Sequence, residues 1–361
     1  MSAAVAQPTR ATQGSAPQPK RKKNMLSDGQ GTLAGMLISP TLIVIFFVVG
    51  IPIAMTIRDS FYTKSNKVDP TTGLLSNKEH FVGLQNFTNA LTSQLGTVPG
   101  EWGNLPRLVN AFLNNMYFTV VCVVIETVLG VAMALIMSKA FRGRGIVRAA
   151  ILVPWAIPTI VSAKMWWLIF QASGVANRIL GHTYLWLGDS ASSQAAVIIA
   201  DTWKTAPFIG LLTLAGLQTI PAEVYEAAKV DGANAWQTFV RITLPMVKPS
   251  LVVAVLFRTL DTMRMFDLPY GMIGPHKYYV ETLSMFAYDE ANNLRYGPAA
   301  AYSILLFLLI VVVAFLFIKL LGAELITDDE VLALRQQRKR QKAMHKRAKA
   351  MPTITSGESA V

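Results

Sequence analysis

The stretch AAAYSILLFLLIVVVAFLFIKLL, residues 299–321, contains a single charged residue, Lys319, and decides the class of fold. A hydrocarbon core about 30 Å thick is crossed by a helix of about 20 apolar residues. Comparable runs recur along the chain, in which 52% of the 361 residues are hydrophobic and 15% are charged. A soluble domain carries about 25% charged residues. The sequence therefore predicts an all-α, polytopic membrane protein.

Six apolar segments are predicted to be transmembrane helices. They lie at residues 33–57, 110–138, 149–171, 194–219, 249–273 and 299–321. The third segment contains Pro154, Pro158 and Lys164. Neighbouring helices satisfy the carbonyls that proline leaves open in a membrane, so this segment is expected inside a bundle. Residues 32–322 are predicted to form one transmembrane domain.

The distribution of lysine and arginine predicts the orientation. Loops 139–148 and 220–248 are rich in these residues, whereas 172–193 and 274–298 contain few. Basic residues concentrate in cytoplasmic loops. We therefore expect both termini and both basic loops in the cytoplasm, and the long connection 58–109 outside as a small external cap.

Two tails carry much of the formal net charge of +12. Residues 1–31 are predicted to be a disordered basic cytoplasmic tail. Residues 323–361 begin acidic and then turn basic, which indicates a charged cytoplasmic tail. Basic segments near a membrane are attracted to anionic lipids. Since no aromatic-interleaved basic platform accompanies the charge, nucleic acid is excluded as a partner.

The residues that usually hold metals, cofactors or catalytic sites show no suitable spacing. Cys122 is the only cysteine, and the four histidines are scattered. The phosphate-binding pattern Gly-x4-Gly-Lys-Ser/Thr is absent from the sequence. We therefore predict no metal site, no catalytic site and no cofactor in this chain, and no ATP hydrolysis by it.

The segment PAEVYEAAKVDGANAWQTFVRITLPMVKP, residues 221–249, is unusual for a membrane loop. Pro221 suits the first turn of a helix. Asp231-Gly232 predicts a break at which the backbone needs a positive φ. A second amphipathic helix is expected to follow and to end at Leu244-Pro245, with Pro249 opening the next span.

The spacing in this loop resembles the cytoplasmic signature of permease subunits of binding-protein-dependent ABC importers. The matching residues are Glu226-Ala227-Ala228, Asp231-Gly232-Ala233, Phe239, Ile242, Leu244-Pro245 and Pro249. The resemblance implies the type I importer permease fold with six transmembrane helices. It also implies that the first short helix is the coupling helix, which docks on an ATPase subunit through Glu226, Ala227, Ala228, Asp231, Gly232 and Ala233.

Other motifs are similar to those of the carbohydrate-uptake branch of this family. They include Phe81-Val82-Gly83-Leu84, Val153-Pro154-Trp155-Ala156-Ile157-Pro158, Met265-Phe266-Asp267 and Tyr296-Gly297-Pro298. The resemblance covers residues 33–321 and extends to actinobacterial disaccharide importers, including a mycobacterial trehalose importer. It departs from the enterobacterial maltose permease, because 172–193 is too short for that protein's second external domain. The tail beyond 322 matches no family pattern.

The resemblance implies a multi-pass protein of the bacterial inner membrane. Its implied partners are a second permease subunit, an extracytoplasmic solute-binding protein and two nucleotide-binding subunits. Those ATPase subunits are expected to bind the ATP and Mg²⁺ and to perform the hydrolysis. This chain is expected to supply half of the pathway for a sugar.

Charged residues in the fifth span are candidates for the solute path. Arg258, Asp261, Arg264 and Asp267 follow one another at intervals of three. Ionisable side chains inside a span usually face an interior cavity, and neighbours at this spacing pair with one another. The residues therefore form either a polar path that binds solute hydroxyls or a neutralised structural ladder.

Four further residues are candidates for the solute path. Asn114 and Asn115 offer hydrogen bonds to sugar hydroxyls, although capping or interhelical bonding explains them equally well. Trp203 offers an aromatic face to a sugar ring, and Lys204 lies beside it in the fourth span. Glu126 lies mid-span, with Lys164 as a candidate buried partner.

Three alternatives remain open from the sequence. One is a secondary transporter driven by an ion gradient, with Glu126, Asp261 or Asp267 as its proton site, although the two halves of the chain show no clear similarity. Another is a membrane scaffold or receptor. Within the importer family, glycerol phosphate remains an alternative to a neutral disaccharide.

Overall fold

The structure, a computed structural model, describes residues 25–64, 79–92, 97–188, 191–321 and 336–337. The predictions for residues 1–24 and most of 322–361 lie outside the described residues. The chain divides into two units between Met55 and Thr56, which are described separately.

The first unit is helical throughout its described part. Helix α1 spans Met25–Ile45, one π-helical turn spans Phe46–Gly50, and α2 spans Ile51–Asp59, which extends into the second unit. The stretch Leu33–Asp59 is long and apolar enough to cross a membrane. It matches the first predicted span.

The second unit contains two small two-stranded sheets and twelve further helices among its described residues. The strands are β1 (Tyr62–Lys64), β2 (Glu79–Phe81), β3 (Thr97–Gly100) and β4 (Gly103–Pro106). The helices are α3 (Gln85–Leu91), α4 (Arg107–Ser138), α5 (Arg144–Ala156), α6 (Thr159–Phe170), α7 (Val175–Leu180), α8 (Ala191–Leu217), α9 (Ala222–Val230), α10 (Ala235–Thr238), α11 (Leu244–Met263), α12 (Asp267–Met272), α13 (Leu283–Asn292) and α14 (Tyr296–Leu321).

The strands lie in the connection 58–109, where only a small external cap was predicted. Strand β1 pairs antiparallel with β2 from Tyr62↔Phe81 onward, and β3 pairs antiparallel with β4. The amide of Asn86 on α3 donates to the carbonyl oxygens of Ser60 and Tyr62, each at 2.9 Å. This segment therefore adds a little β structure to a fold that is otherwise helical, as predicted.

Most predicted spans are confirmed as long apolar helices. Besides Leu33–Asp59, the helices that can cross a membrane are Arg107–Ser138, Ala191–Leu217, Ala235–Met263 and Tyr296–Lys319. They correspond to the second, fourth, fifth and sixth predicted segments. The described chain therefore has five such helices, or six if the bent third segment counts as one span.

The third segment is not the single helix predicted for 149–171. Helix α5 and the segment Thr159–Leu180, which contains α6 and α7, meet at an angle of 94°. Proline has no N–H and pushes the residue before it out of the helical conformation. Ile157, which precedes Pro158, is accordingly extended, with φ −73° and ψ 134°. The segment therefore bends sharply between Ala156 and Thr159.

The fifth span ends about ten residues before the predicted boundary at 273. Helix α11 stops at Met263, Arg264 has φ −105° and ψ 18°, and Phe266 has φ −138° and ψ −60°. A short helix, α12, then begins at Asp267. Asp267 therefore lies on α12 and not on the same helix as Arg258, although the regular spacing of three residues predicted a single helix.

The start of the fifth span also differs from the prediction. Leu244-Pro245 does not end a separate helix, since α10 continues into α11 through a π-helical turn at Phe239–Thr243. The N–H of Leu244 bonds to the carbonyl of Phe239. A π-helical turn pairs residues five apart, and this wider turn lets the chain enter α11 with Pro245 in its first turn.

Helix α4 runs through all three apolar clusters of the described core. Its first turns contribute Leu108 and Ala111 to a cluster with α13 and α14. Its middle contributes Phe118 to a cluster with α6, α8 and α12. Its last turns contribute Ala134 and Met137 to a cluster with α8 and α11.

Helices α4 and α8 approach closely at a pair of glycines. A Cβ atom added to Gly130 would lie 2.8 Å from the Cβ atom of Ile209 and 3.0 Å from the carbonyl oxygen of Ala206. A Cβ atom on Gly210 would lie 3.2 Å from the carbonyl oxygen of Gly130. Small residues allow such close packing of membrane helices.

We expect Gly130→Val to force α4 and α8 apart and to destabilise the protein by about 1–3 kcal/mol, the usual cost of overpacking. Thermal unfolding of the purified chain in detergent measures the change. Gly145→Val is the matched control, because a Cβ atom at this helical glycine meets nothing within 4 Å. An equal loss of stability in both variants would contradict the close contact.

Candidate functional site

Arg258 on α11 is buried, with 2% of its surface exposed, and contacts three carboxylates. Its Nε lies 2.5 Å from Oε2 of Glu126 on α4, and its Nη2 lies 3.0 Å from Oε1. Nη2 also donates to Asp201 on α8, and Nη1 donates to Asp261 at 2.9 Å. We call Glu126, Asp201, Arg258 and Asp261 the Arg258 cluster.

The Arg258 cluster ties α4, α8 and α11 together at mid-bundle. A charge taken out of water is costly unless it is paired and its hydrogen bonds are satisfied. The guanidinium fork meets this requirement because it presents several donors in one plane. The hydroxyl of Thr205 donates to Oε1 of Glu126 at 2.6 Å, which adds a further bond to that carboxylate.

Lys164 was the wrong partner for Glu126. Its side chain is exposed, and its Nζ lies 5.8 Å from the centre of the Trp167 ring. The sequence separates Glu126 from its true partner by 132 residues. No local spacing could therefore have identified Arg258.

Cys122 lies next to two carboxylates of the Arg258 cluster, which gives three groups with metal-ligand chemistry. Ligand atoms of Cys122, Glu126 and Asp201 lie within 4.8 Å of one another. Arg258 donates hydrogen bonds to both carboxylates. The guanidinium therefore already supplies the positive charge that a metal ion would bring.

A cavity of about 230 Å³ opens next to the Arg258 cluster. It is bounded by α6, α8, α11, α12 and the connection between the last two. Its lining residues are Thr159, Asp201, Lys204, Thr205, Arg258, Asp261, Arg264, Met265, Phe266, Asp267 and Leu268. Four predicted path residues, Lys204, Asp261, Arg264 and Asp267, are thus brought together.

The charges that line this cavity cancel. The cations are Lys204, Arg258 and Arg264, and the carboxylates are Asp201, Asp261 and Asp267. Arg264 lies 3.2 Å from Asp261, which also pairs with Arg258. The predicted ladder therefore exists as far as Arg264. It also faces the cavity, and its role as a polar path for the solute stays a prediction.

A second hollow of about 260 Å³ shares four lining residues with this cavity. Those four are Thr205, Arg258, Asp261 and Arg264, and the aromatic side chains of Trp155, Phe208 and Phe257 complete the lining. Polar residues of α8 and α11 therefore face an aromatic wall that includes the end of α5.

Asn114 and Asn115 do not line the cavity, and both are fully buried. The Nδ2 of Asn114 donates to the carbonyl of Tyr278 at 2.7 Å and to that of Glu281 at 3.1 Å. The Nδ2 of Asn115 donates to the carbonyl of Met263 at 2.8 Å. Asn115 therefore bonds between helices, as the interhelical alternative predicts, whereas Asn114 ties α4 to the connection between α12 and α13.

Trp203 also lies outside the residues that line the cavity. Its ring packs edge-on against Trp166 of α6, with the ring centres 5.6 Å apart. In this arrangement the tryptophan joins two helices and presents no face to the cavity.

A second buried ion cluster was missed by sequence reasoning. Arg107 at the start of α4 bonds to Glu281 at 2.9 and 2.5 Å and to Asp289 on α13 at 2.7 Å. Burial raises the pKa of the Glu281 carboxyl, and the bond to Arg107 opposes that rise. These residues lie far apart in the sequence, so no motif connects them.

The loop with the family signature folds into a helix and a tight turn. Helix α9 ends in a pattern in which Ala233 N–H bonds to the carbonyl of Ala228 and Gly232 N–H bonds to that of Lys229. This is the Schellman end of a helix. Gly232 has φ +75°, which confirms the predicted positive φ. Asn234 then caps α10 in a reciprocal pair with Gln237.

Helix α9 has one buried side and one exposed side. Val224 and Tyr225 pack on the apolar cluster of α4, α8 and α11, and Ala228 is buried. Glu226 and Ala227 are exposed. The nearby side chains of Val230 and Trp236 are 88% and 71% exposed. Glu226 and Ala227 of the family signature therefore lie on the exposed side of α9.

We expect Glu126→Ala to destabilise the protein by about 3 kcal/mol or more, because it leaves a buried guanidinium short of a partner. Asp261→Ala is the control and should cost less than about 1 kcal/mol, since Asp261 is 52% exposed. Thermal unfolding of the two variants measures both effects. Equal losses would show that Glu126 is not the principal partner.

Comparisons with known proteins agree with this architecture. The family model for the "binding-protein-dependent transport system inner membrane component" matches residues 126–325. The chain is 36% identical over 296 residues to the trehalose/maltose transport system permease protein MalF of Thermococcus litoralis, covering 80% of this chain and 94% of that protein. It is also 36% identical to the trehalose transport system permease protein SugA of Mycobacterium tuberculosis, covering 81% and 89%.

A relative named for a different solute is also similar. The sulfoquinovosyl glycerol transport system permease protein SmoG of Agrobacterium fabrum is 30% identical, covering 81% of this chain and 91% of that protein. Among solved structures, a chain of a bacterial ABC transporter involved in alginate import matches with a TM-score of 0.66 at 19% identity, covering 82% of this chain and 97% of that chain. This match confirms the fold.

The chain therefore belongs to the family of binding-protein-dependent transport system inner membrane components, as a multi-pass permease subunit of a sugar ABC importer whose ATPase activity resides in partner subunits.

Proposed function

We propose that the chain forms half of the membrane pathway for a neutral disaccharide such as trehalose. Two relatives named for trehalose transport support this substrate. The observation that carries the proposal is the cavity beside the Arg258 cluster, whose cations and carboxylates balance. Such a lining offers hydrogen-bond donors and acceptors to hydroxyl groups and presents no excess charge.

The same lining argues against glycerol phosphate. Phosphate recognition uses cations or helix N-termini that converge on the anion. In this cavity the cations already have partners: Arg258 and Arg264 bond to carboxylates, and Lys204 bonds to a backbone carbonyl at 2.6 Å. Arg258 is buried among its carboxylates, so a phosphorylated solute would have to compete with them for that cation.

Phe266 gives the cavity an apolar face. Its ring stacks on Tyr270 with centres 4.9 Å apart, and Tyr288 packs edge-on at 4.9 Å. Aromatic faces suit the apolar faces of sugar rings. The combination of a charge-balanced wall with an aromatic side fits a neutral sugar better than an ion.

The ion-driven alternative has less support. Glu126 and Asp261, two of its three candidate proton sites, both bond to Arg258. Both carboxylates therefore already serve as hydrogen-bond partners of a buried guanidinium that joins helices.

The exposed side of α9 is proposed to dock on an ATPase subunit. Glu226 and Ala227 are exposed there, and Gly232 lets the chain turn back toward α10 and α11. The proposal places this loop and both termini in the cytoplasm, as the basic loops predict. A second permease subunit, two ATPase subunits and an extracytoplasmic binding protein complete the importer.

Deletion of the gene should abolish uptake of radiolabelled trehalose and leave uptake of labelled glycerol 3-phosphate unchanged. Uptake by washed cells measures both solutes, and the intact gene supplied on a plasmid should restore trehalose uptake. Loss of glycerol 3-phosphate uptake alone would contradict the proposed substrate.

We expect Glu226→Lys to lower trehalose uptake about tenfold or more while the chain reaches the membrane at the normal level. The reason is that a reversed charge on the exposed side of α9 opposes docking. The control is Glu101→Lys, which reverses an exposed glutamate in the β3–β4 turn. Normal uptake by the Glu226→Lys variant would show that the coupling assignment is wrong.

A further inference from the structure

Lys204 lies at the bend between α5 and α6, although it belongs to α8. Its side chain is 7% exposed. Its Nζ donates to the carbonyl oxygen of Ile157 at 2.6 Å and approaches that of Trp155 at 3.5 Å. A charged donor thus reaches the backbone at the point where the third segment breaks.

The bend leaves carbonyl groups without their usual helical partners. The last carbonyls of a helix have no intrahelical donor, and Pro158 removes the N–H that would have bonded to the carbonyl of Pro154. An unpaired carbonyl costs several kcal/mol in a membrane interior. The end of a helix is also its negative pole. The ammonium group of Lys204 donates a hydrogen bond to such a carbonyl and also places a positive charge at the negative end of the helix.

One turn of α8 connects this bend to the Arg258 cluster. Asp201 bonds to Arg258, and Thr205 bonds to Glu126 at 2.6 Å. Lys204 lies between them in the sequence and bonds to Ile157. This turn of α8 therefore bonds to α4 and α11 through the Arg258 cluster and to the α5–α6 bend through Lys204.

The bend in turn supports a wall of the cavity. A Cβ atom added to Gly271 on α12 would lie 2.6 Å from Cδ1 of Ile160 and 2.9 Å from the Cβ atom of Ala163, both on α6. Helix α12 therefore packs tightly on α6. Since α12 begins with Asp267 and α6 begins with Thr159, both lining residues, the angle of the bend sets the shape of the cavity.

We infer that Lys204 is a positioning residue that fixes the α5–α6 bend, and that it is not a ligand of the solute. The inference rests on the proposed function only in treating the cavity as part of the solute pathway. The ammonium group of Lys204 donates a hydrogen bond to the carbonyl of Ile157. It acts on a transported sugar through the position of α6 and α12.

The bend angle is directly measurable with two spin labels. Ile146→Cys on α5 and Leu168→Cys on α6 replace exposed residues, and Cys122, the only native cysteine, is buried. With a rise of 1.5 Å per residue and a right-angle bend, the two Cα atoms lie about 23 Å apart, against about 33 Å for a straight helix. Pulsed electron paramagnetic resonance on the full chain in lipid nanodiscs reports this distance.

We expect a single narrow distance distribution in the otherwise unchanged chain and a broader, longer one in Lys204→Met. Lys204→Arg should restore the narrow distribution, since its guanidinium also donates to carbonyls. Lys164→Met is the matched control, because Lys164 is an exposed lysine on α6. A Lys204→Met distribution identical to that of the parent would overturn the inference.

Lys204→Ser provides a second variant if Lys204→Met does not reach the membrane. Its hydroxyl is too short to reach the carbonyl of Ile157, so the same broadening is expected, and an unchanged distribution would again overturn the inference. The distance measurement needs no solute. It therefore decides the role of Lys204 even if trehalose proves to be the wrong substrate.

Uptake kinetics separate a positioning role from solute binding. In cells expressing Lys204→Met, we expect the maximal rate of labelled trehalose uptake to fall about tenfold, with the half-saturating concentration nearly unchanged. A raised half-saturating concentration together with a normal bend would instead make Lys204 a solute ligand and overturn the inference.

Discussion

A guanidinium buried among membrane helices needs carboxylates on other helices, because neither water nor lipid can compensate its charge. Arg258 meets this constraint with Glu126 from α4 and Asp201 from α8. The rest of the bundle is arranged around that requirement. Helix α4 passes through all three apolar clusters, and the glycine contact at Gly130 keeps α8 close enough for its carboxylate to reach Arg258.

The Arg258 cluster also determines what the cavity offers to a solute. Arg258, Asp201 and Asp261 of the cluster line the cavity together with Lys204, Arg264 and Asp267, so three cations face three carboxylates. Lys204, one turn away on α8, extends the same arrangement to the α5–α6 bend. The surface proposed to meet the ATPase lies elsewhere, on α9, whose inner side packs on the ends of α4 and α8. A shift of either helix therefore affects both the cavity and that surface.

Much of the fold was predictable because membrane thickness and proline chemistry act locally. The length of the apolar runs predicted five long helices, and the Asp231-Gly232 pair predicted the positive φ of Gly232. The interrupted segments were not predictable in detail. A proline is compatible with a kink as well as a break, so the size of the bend at Pro158 was open, and no Gly or Pro marks the end of α11 at Met263. The partner of Glu126 was likewise hidden, since Arg258 lies 132 residues away. The partners of Asn114 and Asn115 were hidden for the same reason, because both amides bond to backbone carbonyls 148 to 167 residues away.

The central claim is that Glu126 and Arg258 act as one energetic unit. A double-mutant cycle with Glu126→Gln, Arg258→Gln and both changes together tests it, with the free energy of unfolding measured in detergent. We expect a coupling energy above about 1 kcal/mol, within the range found for residues in one ion-pair network. Additive losses, equal within about 0.5 kcal/mol to the sum of the single changes, would contradict it.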